Sequence, residues 1–183
     1  LPLRSGEVHG DTVRLFAGCG IVADSDPEAE LAEAQAKFLP VRDARSTLPA
    51  CLDSLAAQSL SDHEVVAVDD GSRDESGALL EARARADPRL RVIRTGRHGL
   101  VPALNVALGA ARAPLVARMD ADDESLPSRL ALQARRLRAD AGTDVLGCRV
   151  RLFGAGSEGL QAYVDWQNGL VDHDAIARDR FVE

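Results

Sequence analysis

From Thr47 onward, short apolar runs alternate with amphipathic stretches. That rhythm predicts βα units and a mostly parallel sheet. STLPACLDSLAAQS (46–59) spaces Leu48, Cys51, Leu52, Leu55 and Ala56 by threes and fours, which predicts a helix started by Ser46 or Thr47. HEVVAVDDGS (63–72) reads as a buried strand that breaks off at Asp69, Asp70 and Gly71. ESGALLEARARAD (75–87) predicts the next helix, LRVIRTG (90–96) the next strand, and VPALNVALGAAR (101–112) a helix with Pro102 in its first turn. APLVARMDADD (113–123) reads as a further strand closing on carboxylates. SLPSRLALQARRLRAD (125–140) is an amphipathic helix, TDVLGCRVRLFG (143–154) a further strand, and residues 159–183 again have helical spacing.

The first 44 residues break the rhythm. TVRLFAGCGIV (12–22) looks like a strand, a tight glycine turn and a strand. DPEAELAEAQAKF (26–38) looks like a helix capped by Asp26, with Pro27 at its first position. An acidic helix pattern therefore stands where a β-branched strand is expected before LPVRDA (39–44), so the first strand of the sheet is expected to be shortened or supplied differently.

Composition narrows the class. The chain has 183 residues, 45% of them apolar, which is enough for one ordinary hydrophobic core. A formal net charge of -7 argues against a nucleic-acid surface built on general basicity, and asks that acidic clusters be neutralised locally. Cys19, Cys51 and Cys148 are odd in number, far apart and set in apolar segments, as expected of reduced packing cysteines. His63 and His98 lack any partner pattern and are expected at the surface. No apolar run approaches the roughly 18–20 residues of a spanning helix, and no signal segment opens the chain. The expectation is a cytoplasmic protein, with peripheral membrane association left open.

Two acidic loops then stand out, DDGSRD (69–74) and DADD (120–123), both at the expected carboxyl ends of strands. In open α/β sheets that is where ligands bind. Carboxylates crowded as Asp120, Asp122 and Asp123 are would be relieved by a hard divalent cation, Mg²⁺ or Mn²⁺, which binds through one or two carboxylates plus substrate phosphates. In an extended segment residues two apart share a side, so Asp120 and Asp122 could reach one ion. The plainer alternative is an acidic N-cap for the helix that follows. Gly71 is expected to give its loop a backbone conformation closed to other residues. Arg118 is expected to pair either with a phosphate or with the neighbouring aspartates.

The blocks LPVRDARSTLPACLDSLAAQS, VVAVDDGSRDES and GLVPALNVALGAARAPLVARMDADDESLPSRLALQ, in that order and spacing, resemble the family-2 glycosyltransferases over about residues 39–175. The resemblance implies an α/β fold of the Rossmann-like GT-A type, a nucleotide-sugar-binding sheet with flanking helices. It implies transfer of a sugar from a nucleotide-diphosphate donor to an acceptor hydroxyl with inversion, in a DxD-containing transferase. By the same resemblance Pro40, Val41 and Asp43 lie along the base and ribose, and Asp69 and Asp70 meet the base or ribose. Asp120 and Asp122 then contact the ribose and, through Mg²⁺ or Mn²⁺, the diphosphate. The family's general base lies on a later acidic motif that is not seen before Glu183, so the base is expected beyond that residue, and residues 39–183 are expected to form a truncated, donor-binding half. A non-catalytic nucleotide-diphosphate-binding module is the alternative.

Residues 1–44 resemble a different family, the carboxyl-terminal end of isochorismate synthases and related chorismate-utilising enzymes, through AGCGIV and SDPEAELAEAQAKF. The resemblance implies that Glu30 and Glu33 match Mg²⁺-binding glutamates, Lys37 a residue holding a substrate carboxylate, Arg4 a substrate-binding arginine, and Gly18 and Gly20 the turn. Residues 1–38 are thus expected to be a foreign hairpin-helix remnant joined at LPVRDA, with an isochorismate synthase fragment as the third reading of the chain.

Overall fold

Val65–Asp69 and Leu90–Arg94 lie side by side as parallel strands, paired in register from Val65 opposite Leu90 to Asp69 opposite Arg94. The structure is a computed structural model that describes residues 44–154 and 158–179, together with the backbone of Pro2–His9 and Thr12–Cys19. Those last two segments, β1 and β2, form an antiparallel pair of their own; Val65–Asp69 is β3 and Leu90–Arg94 is β4. The helices are α1 (Leu48–Ala56), α2 (Ser76–Ala86), α3 (Leu100–Ala110), α4 (Arg129–Ala139), α5 (Glu158–Gly169) and α6 (His173–Asp179). The chain divides into two compact units, Leu1–Arg136 and Leu137–Glu183.

In the first unit, β3, α2 and β4 make the expected βαβ element. α1 starts where the Ala44 carbonyl accepts the amides of Thr47 and Leu48 and the Thr47 hydroxyl, at 3.0, 2.7 and 3.2 Å. Pro49 sits in its first turn, where a missing N–H costs no intrahelical bond. The apolar positions spaced by threes and fours then face one cluster: Leu48 and Leu52 of α1, Leu80 of α2, Leu90 of β4 and Ala44, flanked by Val65, Ala67, Leu79, Ala84, Val92 and Ala121. Burying a leucine there stabilises the fold by about 1.5–3 kcal/mol. An ion pair of 2.6 Å between Arg83 and Asp53 also joins α2 to α1. At the amino ends of the strands, Glu64 accepts the Arg112 amide and meets the guanidinium groups of Arg91 and Arg112 at 3.2 and 2.9 Å.

In the second unit, Val164 of α5 is buried and Tyr163 stacks at a tilt on Trp166, with ring centroids 5.5 Å apart. The Asp172 carboxylate accepts the Ala175 amide at 2.8 Å and so caps α6.

Several expectations are corrected. α1, α2 and α4 begin and end one to four residues inside their expected spans, whereas α3 begins one residue before its span, at Leu100, and ends two residues inside it, with Pro102 in its first turn. Residues 113–120, expected as a strand, pair with no strand among the described residues. The Arg118 carbonyl instead accepts the guanidinium of Arg129 at 2.9 Å, and Val116 is 58% exposed. Residues 143–154 are likewise irregular. The amide and carbonyl of Val150 are both taken by the Asn168 carboxamide, at 2.8 Å each, in place of a neighbouring strand. β3 is only half-buried apart from Asp69, because one described strand flanks it. Gly18 lies inside β2, opposite Leu3, not in a turn. β2 pairs with β1 and does not join β3 as a substitute edge strand. The expected helix 26–38, with Glu30, Glu33 and Lys37, lies outside the described residues, as do Pro40, Val41 and Asp43; Arg4 is described as backbone only, opposite Ala17. Cys148 is exposed, so it does not pack as expected, whereas Cys51 is buried. His63 is not a free surface residue: its Nδ1 lies 2.6 Å from the Leu60 carbonyl and its Nε2 is buried.

Candidate functional site: two acidic loops on one helix

Parallel pairing puts the carboxyl ends of β3 and β4 side by side, and the first acidic loop opens there. The Asp69 carbonyl accepts the Thr95 amide at 3.0 Å, extending the ladder by one step. The Asp69 side chain, 8% exposed, turns inward: its Oδ1 accepts the Ser72 amide at 2.9 Å, and Arg94 Nε stands 3.9 Å from Oδ2. Gly77 is what makes room, since a Cβ there would come 2.5 Å from that Oδ2.

Asp70 faces the neighbouring loop. Its carboxylate accepts the Thr95 hydroxyl at 2.8 Å, the His98 amide at 3.1 and 3.2 Å and the Gly99 amide at 2.7 Å. The residue thus clasps the start of α3, where a carboxylate is favoured by the helix dipole. Partial burial pushes its pKa up, but the His98, Thr95 and Gly99 donors outweigh it and hold the group below its ordinary value. Gly71 has φ +74°, as the sequence led one to expect, and the Arg97 Nε–H donates to its carbonyl at 3.2 Å. Asp74 closes the loop by accepting the amides of Ser76 at 2.9 Å and Arg45 at 3.2 Å, and Arg45 pairs with Glu75 at 2.8 Å.

The second loop is a turn, not an extended strand end. The Asp123 amide donates to the Asp120 carbonyl at 3.2 Å, with Ala121 and Asp122 at the bend. Asp is favoured in such turns because its side chain bonds nearby backbone. The alternation argument for Asp120 and Asp122 therefore does not apply. Nor is the loop the N-cap of the next helix, which starts only at Arg129. Arg118 pairs with a neighbouring aspartate, its Nη2 lying 2.7 and 3.0 Å from the two oxygens of Asp120.

Both loops are moored to α1 or to the residues leading into it. Arg45 holds the first through Asp74, and Cys51 holds the second by donating its thiol to the Asp120 carbonyl at 3.4 Å. Burial pushes the Cys51 thiol up to about 11, reinforced by the charges of Asp123, Asp122, Asp120 and Glu124 in that order. The acidic turn thus acts on that thiol as a concentrated negative charge.

Ser54 of α1 and Gln58, two residues past the helix end, grip the residues after the turn, which the sequence reading did not single out. Gln58 Nε2 donates to the carbonyls of Ser54, Ser125 and Leu126 at 3.1, 3.0 and 2.9 Å, and its Oε1 accepts the Leu130 amide at 3.1 Å. The Ser54 hydroxyl accepts the Ser125 amide at 2.9 Å. A signal was there to read: Gln58 continues the apolar series Cys51, Leu55 at helical spacing, a polar residue on an apolar face.

The donor set Asp120 and Asp122 suits a hard divalent ion in chemistry, through oxygen ligands and local negative charge. Among the described residues no three His, Cys, Asp or Glu side chains gather to hold a metal, so an ion there would need oxygens from a bound ligand as well. One hollow among the described residues is lined by Leu52, Leu55, His63, Arg83, Asp87 and Leu90 among others, and by none of the four aspartates 69, 70, 120 and 122. Asp165 accepts Gln161 and Asp172 caps α6, so both serve helices of the second unit. No helix among the described residues is long and apolar enough to cross a membrane.

The family model for glycosyl transferase family 2 matches residues 38–174. The chain belongs to that family. Among its relatives, the uncharacterized glycosyltransferase EpsJ of Bacillus subtilis is 34% identical over 114 residues, covering 61% of this chain and 32% of EpsJ. The bifunctional glycosyltransferase PgtA of Dictyostelium discoideum is 36% identical over 107 residues, covering 56% of this chain and 14% of PgtA. The chain therefore spans a third or less of these glycosyltransferase relatives. Residues 1–45 match a second family model, chorismate binding enzyme. Isochorismate synthase MenF of Bacillus subtilis is 56% identical over 39 residues, which is 21% of this chain and 8% of MenF. The two family matches overlap at 38–45, where LPVRDA stands.

Proposed function

We propose that this family-2 chain binds a nucleotide-diphosphate sugar and serves its inverting transfer to an acceptor hydroxyl. Asp120 and Asp122 would hold Mg²⁺ or Mn²⁺ against the diphosphate, with Asp69, Asp70, Pro40, Val41 and Asp43 on the nucleoside side. One observation carries the reading: a tight acidic turn, closed by the Asp123 amide on the Asp120 carbonyl, that is moored on α1 where that same carbonyl accepts the Cys51 thiol. When bound, the metal supplies charge neutralisation for the diphosphate leaving group. The chain's own part is to hold the two loops still. Asp70 fixes the 95–99 loop, Asp69 and Gly71 shape the turn beside it, and Arg118 orients Asp120.

Calorimetry with uridine and guanosine diphosphates, with and without Mn²⁺, tests the proposal. Binding should be about tenfold tighter with the metal, and Asp122→Asn should remove that gain, since loss of a ligating group or its support costs metal sites ~10–100-fold. Nucleotide binding that ignores both Mn²⁺ and the Asp122 change would refute the assignment of the metal to this turn.

A further inference from the structure

The residues after the acidic turn have little secondary structure of their own before α4, yet backbone groups of Ser125, Leu126, Pro127 and Leu130 are held by α1 and the residues that directly follow it. Along α1 and its end, Cys51 reaches the Asp120 carbonyl, Ser54 the Ser125 amide, Gln58 the Ser125 and Leu126 carbonyls and the Leu130 amide, and the Ser59 amide the Pro127 carbonyl at 2.8 Å. Gln58, 6% exposed, lies at the centre of this row, and Ser125 is 4% exposed. We propose that Gln58 is the positioning residue of the acidic loop: its buried carboxamide sets where the Asp120–Asp122 turn stands, and so whether those carboxylates can meet a metal-bound diphosphate. The inference rests on the donor-binding reading above.

The chemistry at this position admits few substitutes. Two amide hydrogens serve three carbonyls, so one is shared, while the oxygen on the same group accepts an N–H. The partners also fix its orientation, because a flip would turn the oxygen onto three carbonyls. A carboxylate offers no donor, an asparagine is one methylene short, and a methionine fills the space but takes away the side-chain partner of the Ser125 carbonyl and the Leu130 amide, and leaves the Leu126 carbonyl with the Arg129 amide. Only two residues, Asp123 and Glu124, separate Asp122 from the gripped Ser125, so slack at Ser125 passes directly to the carboxylate.

The test uses the full chain and three forms: the natural sequence, Gln58→Met and Gln58→Glu. In the metal-free protein, Gln58→Met should speed amide exchange at Ser125 and Leu130 while β3 and β4 keep their protection. It should also remove about tenfold of the Mn²⁺-dependent gain in uridine or guanosine diphosphate affinity while leaving metal-free affinity within about twofold, the range seen when a residue supporting a metal ligand is lost. Gln58→Glu should recover part of that gain, relative to the natural sequence, between about pH 7.5 and 5.5, as a buried carboxyl regains a proton to donate. The inference is overturned if Gln58→Met keeps the full Mn²⁺-dependent gain, or if it loses metal-free and metal-dependent affinity alike together with protection in β3 and β4, which is plain unfolding. If the natural sequence binds neither diphosphate with or without Mn²⁺, the donor-binding reading fails and this inference falls with it.

Discussion

At the scale of single residues, Asp70 shows how a carboxylate in a loop becomes a structural element. Its two oxygens organise the Thr95 hydroxyl and two consecutive amides at the start of α3. Charge-assisted bonds of this kind contribute about 1.5–3 kcal/mol each before the cost of desolvation. Asp70→Ala should therefore cost about 1–3 kcal/mol in urea unfolding at pH 7. The pH dependence follows from the direction of the shift. The folded-state pKa lies below the ordinary 3.8, so the folded protein holds the proton less tightly than the unfolded chain. The stabilisation is complete above about pH 4 and fades as pH falls through the lowered folded value. The gap between Asp70→Ala and the natural sequence should accordingly narrow in acid; a gap constant from pH 7 to pH 2 would mean the carboxylate's charge is irrelevant.

Elements meet at glycines, and three of them should respond differently to the same methyl group. At Gly77, in the first turn of α2, a Cβ would stand 2.5 Å from Asp69 Oδ2 and 3.2 Å from Arg94 Nη2, so Gly77→Ala should destabilise by about 1–3 kcal/mol through overpacking. At Gly71 the φ of +74° opposes any side chain and the Cβ would lie 3.0 Å from Arg97 Cγ, so Gly71→Ala should cost about 1–2 kcal/mol. Gly109 sits within α3 with nothing inside 4 Å of its would-be Cβ, so Gly109→Ala should stabilise by about 0.5–1 kcal/mol. Thermal melts of the three variants decide it: any order other than Gly109→Ala highest, with both loop-facing variants below the natural sequence, contradicts this packing.

Across the first compact unit, stability depends on one modest cluster. Leu80 packs with Leu48, Leu52 and Leu90, joining both helices to the sheet that carries the Asp69–Asp74 loop, and Ala121 of the acidic turn lies against the same cluster. Leu80→Ala should cost about 2–4 kcal/mol by urea denaturation, the range for emptying a buried leucine to alanine. A cost under about 1 kcal/mol would show that the cluster is not what holds α1, α2 and the strands together. The formal charge of -7 makes this dependence sharper, because self-repulsion of the net charge works against the compact state.

Much was legible along the chain: the positions of α1 to α4, β3 and β4, the left-handed turn at Gly71, and the family itself. A helix closes its backbone hydrogen bonds four residues away, so an apolar spacing of threes and fours carries nearly all the information it needs. A strand borrows its partners from elsewhere. Residues 113–120 and 143–154 have strand-like sequence, yet Arg129 and Asn168 take backbone groups that a neighbouring strand would otherwise have paired. The grip of Gln58 on a loop 67 and 68 residues away is likewise a fact of packing, because a side-chain amide shows in the sequence only as a polar letter until the carbonyls that surround it are in place.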